Sequence, residues 1–228
     1  MRAIFFDLDG TLLPMDFDVF VQTYFRLLAK RFSEYDPKAF IAGIWAGTNA
    51  MVENDGTMTN EARFWQTFAR VMGPSVLGRE AEFEEFYHTD FHKVREVTGP
   101  NPMAKDIITL AKSKADLVVL ATNPLFPPCA VESRLSWIGL KLEDFDYVTT
   151  YDNSSWCKPS LPYYQNICAA LHLDPADCFM VGNDLREDGL GATQAGIRTH
   201  IVTDSLISHG LELNAFSHST FAELPAYL

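Results

Sequence analysis

The chain has 228 residues, 47% of them apolar and 21% charged, a balance that excludes disorder and supplies enough apolar surface for a core without staples. Eighteen basic residues stand against 30 acidic ones, a formal net charge of −12, which disfavours nucleic acid and anionic membrane surfaces as partners. A small anionic substrate stays compatible, because a local cluster or a bound metal overrides the global sign.

At about 150 residues per domain, the length fits one large domain or a core with a second lobe. Only four apolar residues, Ala3 to Phe6, precede Asp7, too few for a signal peptide. The stretch AFIAGIWAG from Ala39 is far short of a membrane span. Cys129, Cys157, Cys168 and Cys178 form no Cys-x-x-Cys pair and read as reduced thiols. These features together predict a soluble, cytoplasmic protein.

In chain order, RAIFF at residues 2–6 is a short apolar run closed by an Asp-Gly turn, which predicts a buried strand. From about 13 to 99 the periodicity is helical. FDVFVQTYFRLLAKRF, NEARFWQTFARVMG and REAEFEEFYHTDFHKV place apolar residues three and four apart, with Gly73-Pro74 and Gly99-Pro100 as punctuation. After Gly99 the texture alternates. The helix PMAKDIITLAKSK leads to the strand DLVVLAT, a helix at 130–138 and a strand at 145–149. The helix PYYQNICAALHL, the strand CFMVG, a helix at 185–195 and the strand IRTHIV follow. Such alternation predicts an α/β fold, a Rossmann-like parallel sheet with helices on both faces. Residues 1–12 and 100–228 make that core, and 13–99 form an all-helical insertion.

In sheets of this kind ligands sit at the carboxyl ends of the strands, and there the predicted strands turn polar. The first ends in Asp7-Leu8-Asp9-Gly10-Thr11, the second in Thr122-Asn123-Pro124, and the fourth in Gly182-Asn183-Asp184 with Asp188 a turn later; the loop after the third carries Lys158-Pro159. Strand alternation points Asp7 and Asp9 into one space, where two close acids can divide into nucleophile and general acid. Asp184 and Asp188, four apart, add an oxygen-rich pair suited to magnesium. Lys158 and Thr122 supply a cation and a hydroxyl for phosphoryl oxygens.

This set resembles the haloacid dehalogenase-like hydrolase superfamily, most of whose members are phosphatases: IFFDLDGTL, LVVLATN, CKPSLPYYQ and VGNDLREDGLGA occur in the family's order across the core. The resemblance implies that Asp7 attacks phosphorus and becomes an aspartyl phosphate, and that Asp9 protonates the leaving oxygen and then activates water. It implies that Thr122, Asn123 and Lys158 bind the phosphoryl group of a small phosphorylated substrate. Magnesium would be held by Asp7, the Asp9 carbonyl and Asp184, with Asp188 reaching it directly or through water. The helical insertion matches the family's cap, which excludes water and selects substrates. Where many relatives have Gly-Asp, this chain has Gly182-Asn183-Asp184; counting back from Asp188-Gly189-Leu190-Gly191-Ala192 still puts Asp184 at the acid position.

Several motifs are set aside. GLGATQAG from Gly189 mimics a dinucleotide fingerprint, but a charged LRED segment separates it from the strand. His88 and His92 stand four apart with no third zinc ligand and read as a solvated face. Trp45, Phe64, Trp65 and Phe68 are expected to form the insertion's own core, with Asn49 and Arg63 as polar candidates to reach substrate. A dehalogenase would normally lack the acid at Asp9. A phosphosugar mutase would share the acid pair, and a non-catalytic binding module would usually have lost a charged position. No coiled coil or apolar stripe points to an oligomer.

Overall fold

The apolar run Ala3–Phe6 forms β1 near the middle of a six-stranded sheet in the computed structural model, which describes residues 2–228. β2 (Leu117–Leu120), β3 (Tyr147–Val148), β4 (Cys178–Gly182), β5 (Arg198–Val202) and β6 (Ser217–Ser219) complete it in the order β3-β2-β1-β4-β5-β6. Every pair is parallel, with Ala3 opposite both Leu117 and Cys178. The predicted α/β, Rossmann-like fold is present, with helices on both faces. β1 is buried throughout and its side chains alternate: Ile4 and Phe6 join one apolar cluster, Ala3 and Phe5 the other. A strand buried on both sides reads as a continuous apolar run for this reason.

Between β1 and β2 lie four helices, α1 (Phe17–Arg31), α2 (Pro37–Val52), α3 (Asn60–Met72) and α4 (Glu80–His88), then a 3-10 stretch at Asp90–Val97 and α5 (Ala104–Lys114). Side-chain caps fix three of the starts. Asp16 accepts from Val19 N, Asp36 from Ala39 N with Pro37 opening the helix, and Thr59 from Ala62 N. The expected single helix over REAEFEEFYHTDFHKV breaks after His88, where the Thr89 hydroxyl donates to the Glu85 carbonyl and the chain tightens. Aromatic rings of this segment pack edge-on and tilted around Phe83 and Phe91, in the same apolar cluster as Ile4 and Phe6. α6 (Pro128–Trp137) follows β2 and packs against α4.

α7 (Leu161–Ala170) covers the opposite face with Tyr163, Tyr164 and Ile167. The helix expected at 185–195 is instead a π-helix, Leu185–Gly191, running into the short α8 (Ala192–Gln194). The Gly189 amide reaches five residues back to the Asp184 carbonyl, a widened turn of the sort found at functional sites. No helix among the described residues is long and apolar enough to cross a membrane, and all four cysteines are free thiols.

The sixth strand was not expected, and His200 explains how it is held. Its buried ring, on β5, bonds Ser217 Oγ through Nδ1 at 2.8 Å and Ser219 Oγ through Nε2 at 2.9 Å, both on β6. Burial pushes its pKa from 6.5 down to about 4, and His218 adds to the effect. The folded protein therefore binds fewer protons than the unfolded chain below pH 6.5, so stability falls as pH drops. Denaturant midpoints should decline between pH 6.5 and about 4, and the decline should flatten in His200→Asn.

Candidate active site

The carboxyl ends of β1, β2 and β4 and the loop after β3 converge on one buried charged group. Lys158, fully enclosed, donates to Asp7 Oδ1 at 2.9 Å and to Asp188 Oδ1 at 2.6 Å. Burial by itself would lower the lysine's pKa, but the two carboxylates more than offset it and hold the ammonium well above its usual range. Asp188 is pushed up to about 7, burial raising it and Lys158 opposing. Its other oxygen accepts the Asn183 and Asp184 amides at 3.1 Å each.

Two glycines make this approach possible. A Cβ on Gly182 would lie 2.1 Å from Asp188 Oδ2, and one on Gly10 would lie 2.3 Å from Asn183 Nδ2. Gly10 also sits at φ +88°, where side chains are strained. Thr11 Oγ1, between 3.2 Å from Asp7 Oδ2 and 3.0 Å from Asn183 Oδ1, links the first motif to the last, while Asn183 Nδ2 donates to the Ser205 carbonyl.

Asp9 shares the cavity with Asp7 but turns toward Arg134, a buried arginine from α6. Burial raises the Asp9 pKa and Arg134 opposes the rise. The guanidinium lies 4.4 Å from the centre of the Phe126 ring and also donates to the Ala130 carbonyl. Asp9 Oδ1 and Arg134 Nη2 are buried without hydrogen-bond partners.

Thr122 lines the cavity with its carbonyl fixed by two donors, Thr149 Oγ1 at 2.6 Å and Tyr163 Oη at 2.9 Å. Asn123 Oδ1 accepts from the Lys158 amide at 3.3 Å, and its Nδ2 donates to both oxygens of Glu187 at 3.1 Å. Glu187 is driven up to about 8, chiefly by burial. Asp184 caps the π-helix, accepting from the Arg186 and Glu187 amides, and its second oxygen is 2.7 Å from His209 Nε2.

The structure thus gathers all seven residues singled out from the sequence: Asp7, Asp9, Thr122, Asn123, Lys158, Asp184 and Asp188. It adds Arg134, Glu187 and His209. Glu187 stood within reach of sequence reasoning, one residue before Asp188; nothing in the pattern around Arg134 or His209 marks them. Of the polar residues in the insertion, Asn49 lines the cavity, whereas Arg63 turns away to Asn54, Asp55 and Thr57. Trp45 is not a core residue: it is 42% exposed and lines the cavity, whereas Phe64 and Trp65 are buried in the core, as expected, and also line the cavity. Phe68 is fully buried, as expected. His88 and His92 are both exposed, and His92 Nδ1 accepts from the Trp137 indole.

No three acidic, histidine or cysteine groups among the described residues close into a metal cage. The donors still suit a small hard cation, because magnesium takes one or two carboxylates and fills its remaining positions with water and substrate oxygens. Asp7 and Asp184 both face the cavity.

A family model of haloacid dehalogenase-like hydrolases matches residues 1–196, and the chain belongs to that family. No curated protein matches it in sequence. Solved structures match over nearly the full length of both chains. A HAD phosphatase from Thermococcus onnurineus aligns with TM-score 0.62 and 19% identity, covering 100% of this chain and 97% of the other. YfnB from Bacillus subtilis, bound to magnesium, aligns at 0.59 and 18%, covering 100% and 98%. L-2-haloacid dehalogenase from Xanthobacter autotrophicus aligns at 0.59 and 17%, covering 99% and 97%. At these identities the likeness shows a shared fold, and it spans both hydrolytic chemistries.

Gly182→Ala should force Asp188 off its two amides. The expected cost is that of overpacking, about 1–3 kcal/mol, read as a lower denaturant midpoint.

Proposed function

We propose that the protein is a magnesium-dependent phosphatase that hydrolyses a small phosphate monoester through an aspartyl phosphate on Asp7. The observation that carries this reading is the second acid: Asp9 lines the same cavity as Asp7 two residues further on. Displacing halide from carbon needs no proton donor for the leaving group, whereas expelling an alkoxide does. The likeness to a dehalogenase is therefore one of fold.

In this scheme an Asp7 carboxylate oxygen attacks phosphorus and the ester P–O bond breaks. Asp9 delivers its proton to the departing oxygen, a role favoured by burial, which holds its pKa up. Asp9 then takes a proton from water as that water attacks the aspartyl phosphate, releasing phosphate and restoring Asp7. Covalent catalysis divides one hard displacement into two. Lys158 balances charge on Asp7 and on the transferring group, and Thr122 and Asn123 orient it. A bound magnesium would supply further neutralisation of the phosphoryl oxygens, held by Asp7, the Asp9 carbonyl, Asp184 and Asp188. Magnesium in YfnB supports that part of the reading. The helices of 13–99 act as the cap that screens the site from water.

Hydrolysis of p-nitrophenyl phosphate with magnesium, and its loss on chelation, is the expected result. Asp7→Asn should abolish turnover by roughly 10³-fold or more while leaving the circular dichroism spectrum unchanged; near-normal activity would sink the nucleophile assignment. Asp184→Ala should raise the magnesium concentration needed for half-maximal rate steeply, and an unchanged metal titration would shift that role to Asp188.

A further inference from the structure

The cavity above Asp7 extends well beyond the phosphoryl site, and its far walls have a different chemistry. It encloses about 400 Å³, within the range of small-ligand sites. On α1 the residues facing it are Phe17, Phe20, Val21, Tyr24 and Phe25. On α2 they are Ile44, Trp45, Thr48, Asn49 and Val52. Phe17, Phe20, Val21, Tyr24 and Phe25 follow the i, i+3, i+4, i+7, i+8 spacing of a single helix face, and from Trp45 to Val52 the second set repeats it, with Ile44 beside it. An amphipathic helix normally spends such a face on the core. Here much of it stays uncovered: Phe17 is 53% exposed, Trp45 42% and Val52 46%. Large apolar groups left open around a concavity mark a binding surface.

The charges lining this part of the cavity are equally one-sided. No lysine or arginine among the described residues lines it, whereas α4 contributes the carboxylates of Glu80 and Glu84. A second phosphate or carboxylate on the substrate would meet repulsion there with no cation to offset it. A polyhydroxylated sugar laid along the wall of Phe17, Phe20, Val21, Trp45 and Val52 would turn hydroxyls onto rings and aliphatic groups, each a polar group desolvated without a partner.

We propose that the substrate is a monophosphate ester of a largely apolar alcohol, alkyl or aromatic, with no second anionic group, whose leaving group lies against α1 and α2. The inference rests on the phosphatase reading for its phosphoryl end; the apolar wall stands on its own geometry.

Two measurements on the magnesium-loaded protein test it. Across n-alkyl monophosphates from ethyl to hexyl, kcat/KM should climb about fourfold per methylene, equivalent to about 0.8 kcal/mol. Glucose 6-phosphate and fructose 1,6-bisphosphate should fall at least about tenfold below hexyl phosphate. By calorimetry, hexylphosphonate should bind more tightly than methylphosphonate, with a more negative heat-capacity change. Trp45→Ala should reduce the hexyl-to-ethyl ratio by about tenfold, the scale of uncovering part of a large apolar side chain. Because Trp45 is exposed, the variant leaves the buried core untouched. A flat alkyl series, or a preference for the sugar phosphates, overturns the proposal. If no ester is turned over, the phosphatase reading fails and the phosphonates alone decide: equal affinity for the two overturns the apolar pocket, and tighter hexylphosphonate binding sustains it.

Discussion

A single buried ammonium governs the geometry of the site. Lys158 comes from the loop after β3 but ends between Asp7, at the tip of β1, and Asp188, beyond the tip of β4. Enclosed without partners, such a cation would shed its proton; with two carboxylates in contact it stays charged and draws three separate chain segments together. Removing one partner of a buried charge pair leaves the other uncompensated, typically at about 3–5 kcal/mol. The neighbours follow from this centre. Asp188 has to lie flat over Gly182, Asn183 has to pass close to Gly10, and Thr11 bridges Asn183 to Asp7.

The sheet and the helical segment contribute different things to the same cavity. Strand ends and the loop after β3 supply the charged groups around Lys158, and their placement depends on the parallel pairing of β1 with β2 and β4. The helices supply shape and apolar surface, set by which face each presents. Arg134 joins the two systems: it sits on α6, which packs against α4, and its guanidinium meets the Asp9 carboxylate. A displacement of α4 and α6 is therefore transmitted to the second acid of the site.

How much of this was legible in the sequence depends on how each residue is held. Asp7, Thr122 and Asp184 could be placed because each follows an apolar run, and a buried strand has only one polar end facing the ligand. Arg134 lies inside PCAVESRLSW, an ordinary helical stretch, and its role depends on a contact 125 residues away in the chain. His209 lies in a loop, at φ 48°, and acquires its partner only because the 207–209 segment runs alongside Asp184. The strand Ser217–Ser219 carries no apolar run at all; it pairs in parallel with β5, and its two serines bond the His200 ring. The π-turn was equally hidden, since four-residue spacing of acids is compatible with an ordinary helix and only the Asp184 carbonyl, taking two amides, distinguishes them.

The start of α3 is fastened to the sheet side by more than apolar contact. The Asn60 and Glu61 amides donate to the Ser154 and Tyr151 carbonyls, and the fully buried Asn60 side chain reaches the Pro124 carbonyl and Cys157 Sγ. Swinging the helices wide of the sheet would break all of these contacts at once. The helical segment is thus pinned to the sheet at the start of α3, while at the α1–α2 edge Phe17 and Trp45 stand open to solvent, so the mouth of the cavity lies on the side away from the pin.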